Sequence, residues 1–191
     1  FYTDYTEKVN LVPGSIVSLQ PTVSYKINDL PQPLPVSENF SSQPLSFSLP
    51  QNSNYKLEIE NSPAFQFAGS EGAVGLVRTK QDTLFEVMLT SDFEGALPQS
   101  GNPVYLELDY LSTIQFEVGV VVNSKGQQFR NVDLNVRPNT SFNRLYVNLT
   151  EEVSIVNDPN ATFKVFIRAL PTGAPNGFIA LDNIRLIHFK N

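Results

Sequence analysis

The chain has 191 residues, 41% hydrophobic and 17% charged, so it carries enough apolar material for one well-buried domain and is not disordered by composition. A net charge of −6 argues against a nucleic-acid partner, which would need a basic face. The lack of cysteine rules out disulfides, thiol nucleophiles and Cys-ligated metals, and no apolar run reaches the ~20 residues of a membrane span.

Seven of the 14 prolines fall in the first 50 residues. Proline cannot donate to a β-ladder, so residues 12–50 are expected to form edge strands and loops packed on the core rather than central strands. Phe1–Leu11 reads as a tether. The first residue is Phe rather than Met, which suggests that a leader or tag has been removed. Along the chain, helical periodicity is nearly missing and short alternating runs dominate. The expected strands are Ser15–Leu19, Val23–Ile27, Tyr55–Ile59, Ala64–Phe67, Gly75–Thr79, Leu84–Leu89, Val104–Tyr110, Gln115–Val122, Gln128–Val136, Leu145–Leu149, Phe163–Ala169 and Phe178–Phe189. Turn-forming groups such as Asn123-Ser124-Lys125-Gly126 and Asp158-Pro159-Asn160 separate them. About a dozen short strands at this spacing predict an all-β sandwich, with residues 51–191 as its body and 1–50 as a proline-rich extension.

Five successive strands have one apolar and one polar face. Val104, Leu106 and Leu108 alternate with Tyr105, Glu107 and Asp109. Phe116, Val118 and Val120 alternate with Glu117 and Gly119. Val132, Leu134 and Val136 alternate with Asn131, Asp133 and Asn135. Leu145 and Val147 flank Tyr146 and Asn148, and Val165 and Ile167 flank Phe166 and Arg168. The apolar faces are expected to make the core. On the polar faces, Tyr105, Tyr146 and Phe166 with Asp109, Asn148 and Arg168 form a candidate ligand site. An aromatic ring covers the C–H face of a sugar, while carboxylate, amide and guanidinium groups bond its hydroxyls. Two sheets would divide this set, so it is an upper bound on any one surface.

The last strand carries a further signal. Leu181 and Ile184 are three apart and cannot share a face of a regular strand, so a bulge is predicted at Asp182-Asn183. Asp182 has two readings there. It either hydrogen-bonds the bulged backbone or ligates a structural calcium together with backbone carbonyls and another acidic side chain. Catalysis has little to stand on. The one histidine, His188, sits on an apolar strand and reads as structural, and neither a Cys–His pair nor a three-His zinc site can be built. A carboxylate pair such as Glu107 and Glu117 would be needed for glycosidase chemistry. The chain is therefore expected not to be an enzyme.

The segments Val104–Tyr110, Phe142–Leu149, Phe163–Ile167 and Ile179–Leu186 resemble galactose-binding-like jelly rolls, of which carbohydrate-binding modules are the best-known members. Within that group the chain looks similar to surface lipoproteins of the Bacteroidetes type. The resemblance covers roughly residues 70–191. It implies a jelly-roll β-sandwich of two antiparallel sheets and a non-catalytic binding module for an oligosaccharide or polysaccharide. It also implies a structural calcium at Asp182 and an exported protein at the bacterial cell surface or periplasm, with a lipid anchor upstream of Phe1. The absence of Trp departs from many sugar-binding members. The alternative is a structural or protein-interaction lipoprotein domain with no sugar site.

Overall fold

The computed structural model describes residues 34–67, 72–79, 86–169 and 176–188. In chain order these form β1 (Val36–Glu38), β2 (Phe47–Ser48), β3 (Leu57–Glu60), a 3-10 turn (Pro63–Phe65), β4 (Val74–Arg78), β5 (Val87–Ser91) and β6 (Val104–Ser112). There follow β7 (Phe116–Ser124), β8 (Gln127–Val136), β9 (Asn143–Asn148), α1 (Thr150–Ser154), β10 (Thr162–Ala169) and β11 (Phe178–His188). The strands expected at Ser15–Leu19 and Val23–Ile27 lie outside the described residues, as do Leu84, Phe85 and Phe189.

Two antiparallel sheets result. One has the order β3-β4-β11-β6-β9, with β1 also paired to β11; the other has the order β2-β5-β10-β7-β8. The fold is the expected all-β jelly-roll sandwich. Strand β11 is central because almost every inward residue along it is apolar. Leu76 and Val77 of β4 flank Ile179 and Ala180, while Val36 of β1 lies opposite Leu186 farther along the same edge. Between the sheets, Leu106, Leu108, Val118, Val120, Phe163, Val165, Ile167, Leu181 and Ile184 form one buried cluster. Each such side chain contributes about 1.5–3 kcal/mol by leaving water.

Three local departures from the sequence pattern have physical causes. Ala64–Phe67 is not a strand: Pro63 stands at the start of a 3-10 turn, where its fixed φ fits and its missing N–H costs nothing. The phenylalanines of this segment instead cap the outer face of the first sheet. Phe67 stacks on Phe142 at 4.1 Å and Phe65 meets Phe178 edge-on at 5.5 Å, over Val74, Leu76 and Ala180. Second, the one-turn helix α1 follows β9 and plugs the sandwich with the fully buried Val153. It is too short for its periodicity to register.

Third, Val132 does not point into the core. The pairing shifts from Val118–Leu134 to Gly119–Val132, so Asp133 is an extra residue on β8 and Val132 turns outward, 38% exposed. Gly119 lies at that shift. A Cβ there would sit 2.0 Å from the Asn131 carbonyl oxygen, so only glycine permits the approach.

Candidate functional site

The candidate site grows from the predicted bulge. Asp182 pairs with Asp109 and Arg185 with Glu107, so two residues of β11 oppose the single Leu108 of β6. Asn183 takes up the irregularity with φ +48°, a left-handed conformation that Asn tolerates better than most residues. The Asn183 N–H donates to Asp182 Oδ1 at 2.7 Å, and its side-chain amide donates to Asp109 Oδ2 at 2.9 Å. The bulge also solves the register conflict, since Leu181 and Ile184 both enter the core.

Beside it lies a compact charge network on the outer face of the six-stranded sheet. Arg144 of β9 stands opposite Asp109 and grips it with two bonds, Nε to Oδ1 at 2.8 Å and Nη2 to Oδ2 at 2.7 Å. Its Nη1 lies 3.5 Å from Glu107 Oε1, and Arg185 Nη1 approaches the same oxygen at 3.6 Å. Both carboxylates are buried, Asp109 at 3% and Glu107 at 5% exposure. Burial alone would raise the Asp109 pKa. The hydrogen bonds from Arg144 and Asn183, and the charges of Arg144 and Arg185, outweigh it and hold the carboxyl below its ordinary range. The Asp109 hydrogen bond raises Arg144 in turn, so the guanidinium stays charged. Arg144 and Arg185 thus offset Asp109 and Glu107, with Asp182 a third buried carboxyl group beside them.

An aromatic and amide surface borders this network. Tyr146 lies across from Glu107, and Asn148 across from Tyr105. Tyr105 and Tyr146 are thus diagonal neighbours on one face, with Cα atoms about 7–8 Å apart. Tyr146 is 52% exposed. Residues 142, 144, 146 and 148 alternate along the edge strand, so Phe142, Arg144, Tyr146 and Asn148 form a single outward stripe.

Of the six residues expected to bind ligand, four come together here: Tyr105, Asp109, Tyr146 and Asn148. Phe166 and Arg168 do not. They belong to β10 in the other sheet, on its outer face. Phe166 is fully buried there and offers no ring face to a ligand. Arg168 lies over that ring at 5.8 Å and binds Glu117, with Nε to Oε2 at 2.7 Å, and Glu86 at 3.4 Å. Glu117 and Glu107 lie in different sheets, so they cannot form a facing catalytic pair.

Asp182 is fully buried, with Oδ1 on the bulge. Among the described residues, no group of three or more Asp, Glu, His or Cys side chains could hold a metal ion. The bond from the Asn183 N–H gives Asp182 Oδ1 a backbone role at the bulge. His188 ends β11 opposite Val104.

Sequence reasoning placed Asn183 at the bulge but passed over Arg144 and Arg185. Arg144 was within reach of the pattern, because it continues the alternation of Tyr146 and Asn148 by one step. Placing the start of the strand at Leu145 left it outside.

No protein-family model and no curated protein matches the sequence. Solved structures do match the fold. The CBM22-1 xylan-binding domain of Paenibacillus barcinonensis Xyn10C aligns over 83% of this chain and 96% of its own, at TM-score 0.52 and 9% identity. The family 11 carbohydrate-binding module of Clostridium thermocellum, solved with a mixed-linked tetrasaccharide, aligns over 80% and 94%, at 0.53 and 11%. The arabinose-bound MgGH51 α-L-arabinofuranosidase aligns over 81% of this chain but only 25% of its own, at 0.54 and 15%. The resemblance to carbohydrate-binding jelly rolls thus holds for the fold.

Proposed function

We propose that this chain is a non-catalytic glycan-binding module whose ligand lies on the outer face of the six-stranded sheet, along β9. The observation that carries the reading is the half-exposed Tyr146 beside the rigid Asp109–Arg144–Glu107–Arg185 network, with Tyr105 and Asn148 on the same face. The Tyr146 ring supplies a flat apolar surface for a sugar ring. The Asn148 amide and the outer edge of Arg144 supply hydrogen bonds to its hydroxyls. Because the guanidinium is already clamped, little side-chain freedom is lost when a ligand arrives.

The jelly-roll neighbours described as a xylan-binding domain and a tetrasaccharide complex support the ligand class. The non-catalytic reading rests on the same face, where the Asp109 and Glu107 carboxylates are held by arginines. An exported, cell-surface or periplasmic location, with a lipid anchor outside this chain, belongs to the same proposal.

The test is affinity electrophoresis of the full chain through gels holding xylan, mixed-linked β-glucan or an uncharged control. At least one polysaccharide should retard the native protein. Tyr146→Ala should weaken that retention by roughly five- to tenfold, matching about 1 kcal/mol for one lost ring contact. Because the ring is half exposed, the melting temperature should stay near that of the native protein. Retention by no polysaccharide, or retention unaltered by Tyr146→Ala, would refute the proposal.

A further inference from the structure

We propose that the cleft between the edge of β8 and α1 docks an extended, basic and apolar segment of a partner polypeptide. This inference is independent of the glycan reading, because none of the residues lining the cleft belongs to the set around Tyr146.

The cleft holds about 580 Å³ and is lined by Phe129, Arg130 and Val132 of β8 and by Glu151, Glu152 and Ile155 of the α1 region. Five large apolar side chains are exposed among the described residues, and three of them line it: Phe129 at 40%, Val132 at 38% and Ile155 at 72%. Such clustering marks an interaction surface, whereas single exposed apolar residues are ordinary. The bulge at Asp133 is what sends Val132 to this surface. Neighbouring residues of opposite facing, Phe129 and Arg130, both line the cleft, so it opens on the rim of the strand rather than over one face. Among the described residues β8 pairs with β7 alone. Its outer backbone N–H and C=O groups are those that an added extended segment would use.

Charge selects the occupant. Glu151, Glu152 and the adjacent Asp133 place three carboxyl groups at the cleft, and Arg130 is committed to Glu86 at 3.1 Å. Glu152 Oε2 is shielded from water and receives no hydrogen bond. The neighbouring Asp133 carboxyl can donate to it only when protonated. Burial, then the charge of Glu152, pushes Asp133 up to about 6. Burial is the larger of the two causes, and the charge of Glu152 adds to it. A Lys or Arg side chain entering the cleft would supply the missing positive charge and donor, while flanking apolar residues would cover Phe129 and Ile155. An acidic segment would be repelled, and a neutral one would leave the carboxylate charge uncompensated.

The probe is a blocked decapeptide of alternating Lys and Val, with Glu–Val and Ser–Val counterparts as controls. Binding to the full chain is read by fluorescence anisotropy and by amide chemical shifts. The Lys–Val peptide should bind best and should shift amides within residues 128–134 and 151–156. Ile155→Ser, a change at an exposed position, should weaken it roughly tenfold, and Glu152→Gln by about threefold or more. The inference is overturned if no peptide binds, if Glu–Val binds as well as Lys–Val, or if Ile155→Ser has no effect. Shifts confined to the Tyr146 face would overturn it too.

Discussion

Arg144→Met tests whether the charge network is a structural unit. Met keeps the apolar stem and removes the guanidinium. Asp109 then loses its two-bond grip at 2.8 and 2.7 Å but keeps the Asn183 amide at 2.9 Å, and Glu107 keeps Arg185 at 3.6 Å. Removing one partner of a fully buried pair costs about 3–5 kcal/mol. The Arg144 side chain is 42% exposed, so water screens part of the interaction. Together with the bonds that survive, this brings the expected loss to about 2 kcal/mol, or roughly 6 °C in melting temperature for a chain of this size.

The pH dependence has a definite sign. Asp109 has a folded pKa below its ordinary value of 3.8, so its contribution is present above 3.8 and is lost as pH falls through the folded value. The gap between native and variant protein should therefore be widest near neutrality and shrink below about pH 3.8. Urea unfolding followed by circular dichroism at pH 7 and pH 3 measures both. A loss under about 0.5 kcal/mol at pH 7, or an equal loss at both pH values, would show that the network contributes nothing beyond a surface ion pair.

Two further outcomes follow from the buried carboxylates. Asp133 faces Glu151 and Glu152 on α1, while Arg130 on its own strand is taken by Glu86; with its pKa at about 6 against an ordinary 3.8, the folded protein should lose stability as pH rises between those values. A fully shielded carboxyl would account for about 3 kcal/mol, but partial exposure reduces this to ~1 kcal/mol, so Asp133→Asn should stabilise the protein by about that much at pH 7 and not at all at pH 3.5 in thermal melts. If Asp182 serves the bulge rather than an ion, adding calcium to chelator-treated protein should leave its melting temperature unchanged; a rise that saturates with calcium would instead place an ion in the fold.

The fold was largely legible because strand faces leave a period-2 record. Val104–Ser112, Phe116–Ser124 and Thr162–Ala169 lie within one or two residues of the expected strands. The bulge was legible for the same reason, since Leu181 and Ile184 conflict in any regular strand. Other features left no such record. Val132 fits perfect alternation, and only the close approach at Gly119 displaces it. Segment 63–67 has strand-like composition, but Pro63 and the outer-face cluster of Phe142 and Phe178 draw it into a cap. The division of the candidate site is a third case. Phe166 and Tyr146 have similar neighbours in sequence, and nothing local says that β9 joins one sheet and β10 the other. That follows from α1, which carries the chain between them.

The same topology explains why Tyr146 and Phe166, chosen on equal grounds, have opposite exposures. Strand β10 lies between β5 and β7, so Phe166 is flanked on both sides and sinks over Gly119, with Arg168 laid above it. Strand β9 ends its sheet and pairs with β6 alone among the described residues, so Tyr146 keeps one side open. An aromatic on a polar face is available to a ligand when its strand is an edge. On the central β10, the long side chain of Arg168 closes over Phe166. The cleft at β8 obeys the same rule, because β8 ends the other sheet and Phe129 and Val132 are left uncovered there. Both proposed recognition surfaces are therefore products of strand order. An edge normally has to be blunted against unwanted pairing. At β9 the polar stripe of Arg144 and Asn148 does this, while the acidic residues beside β8 discourage any segment that is not basic.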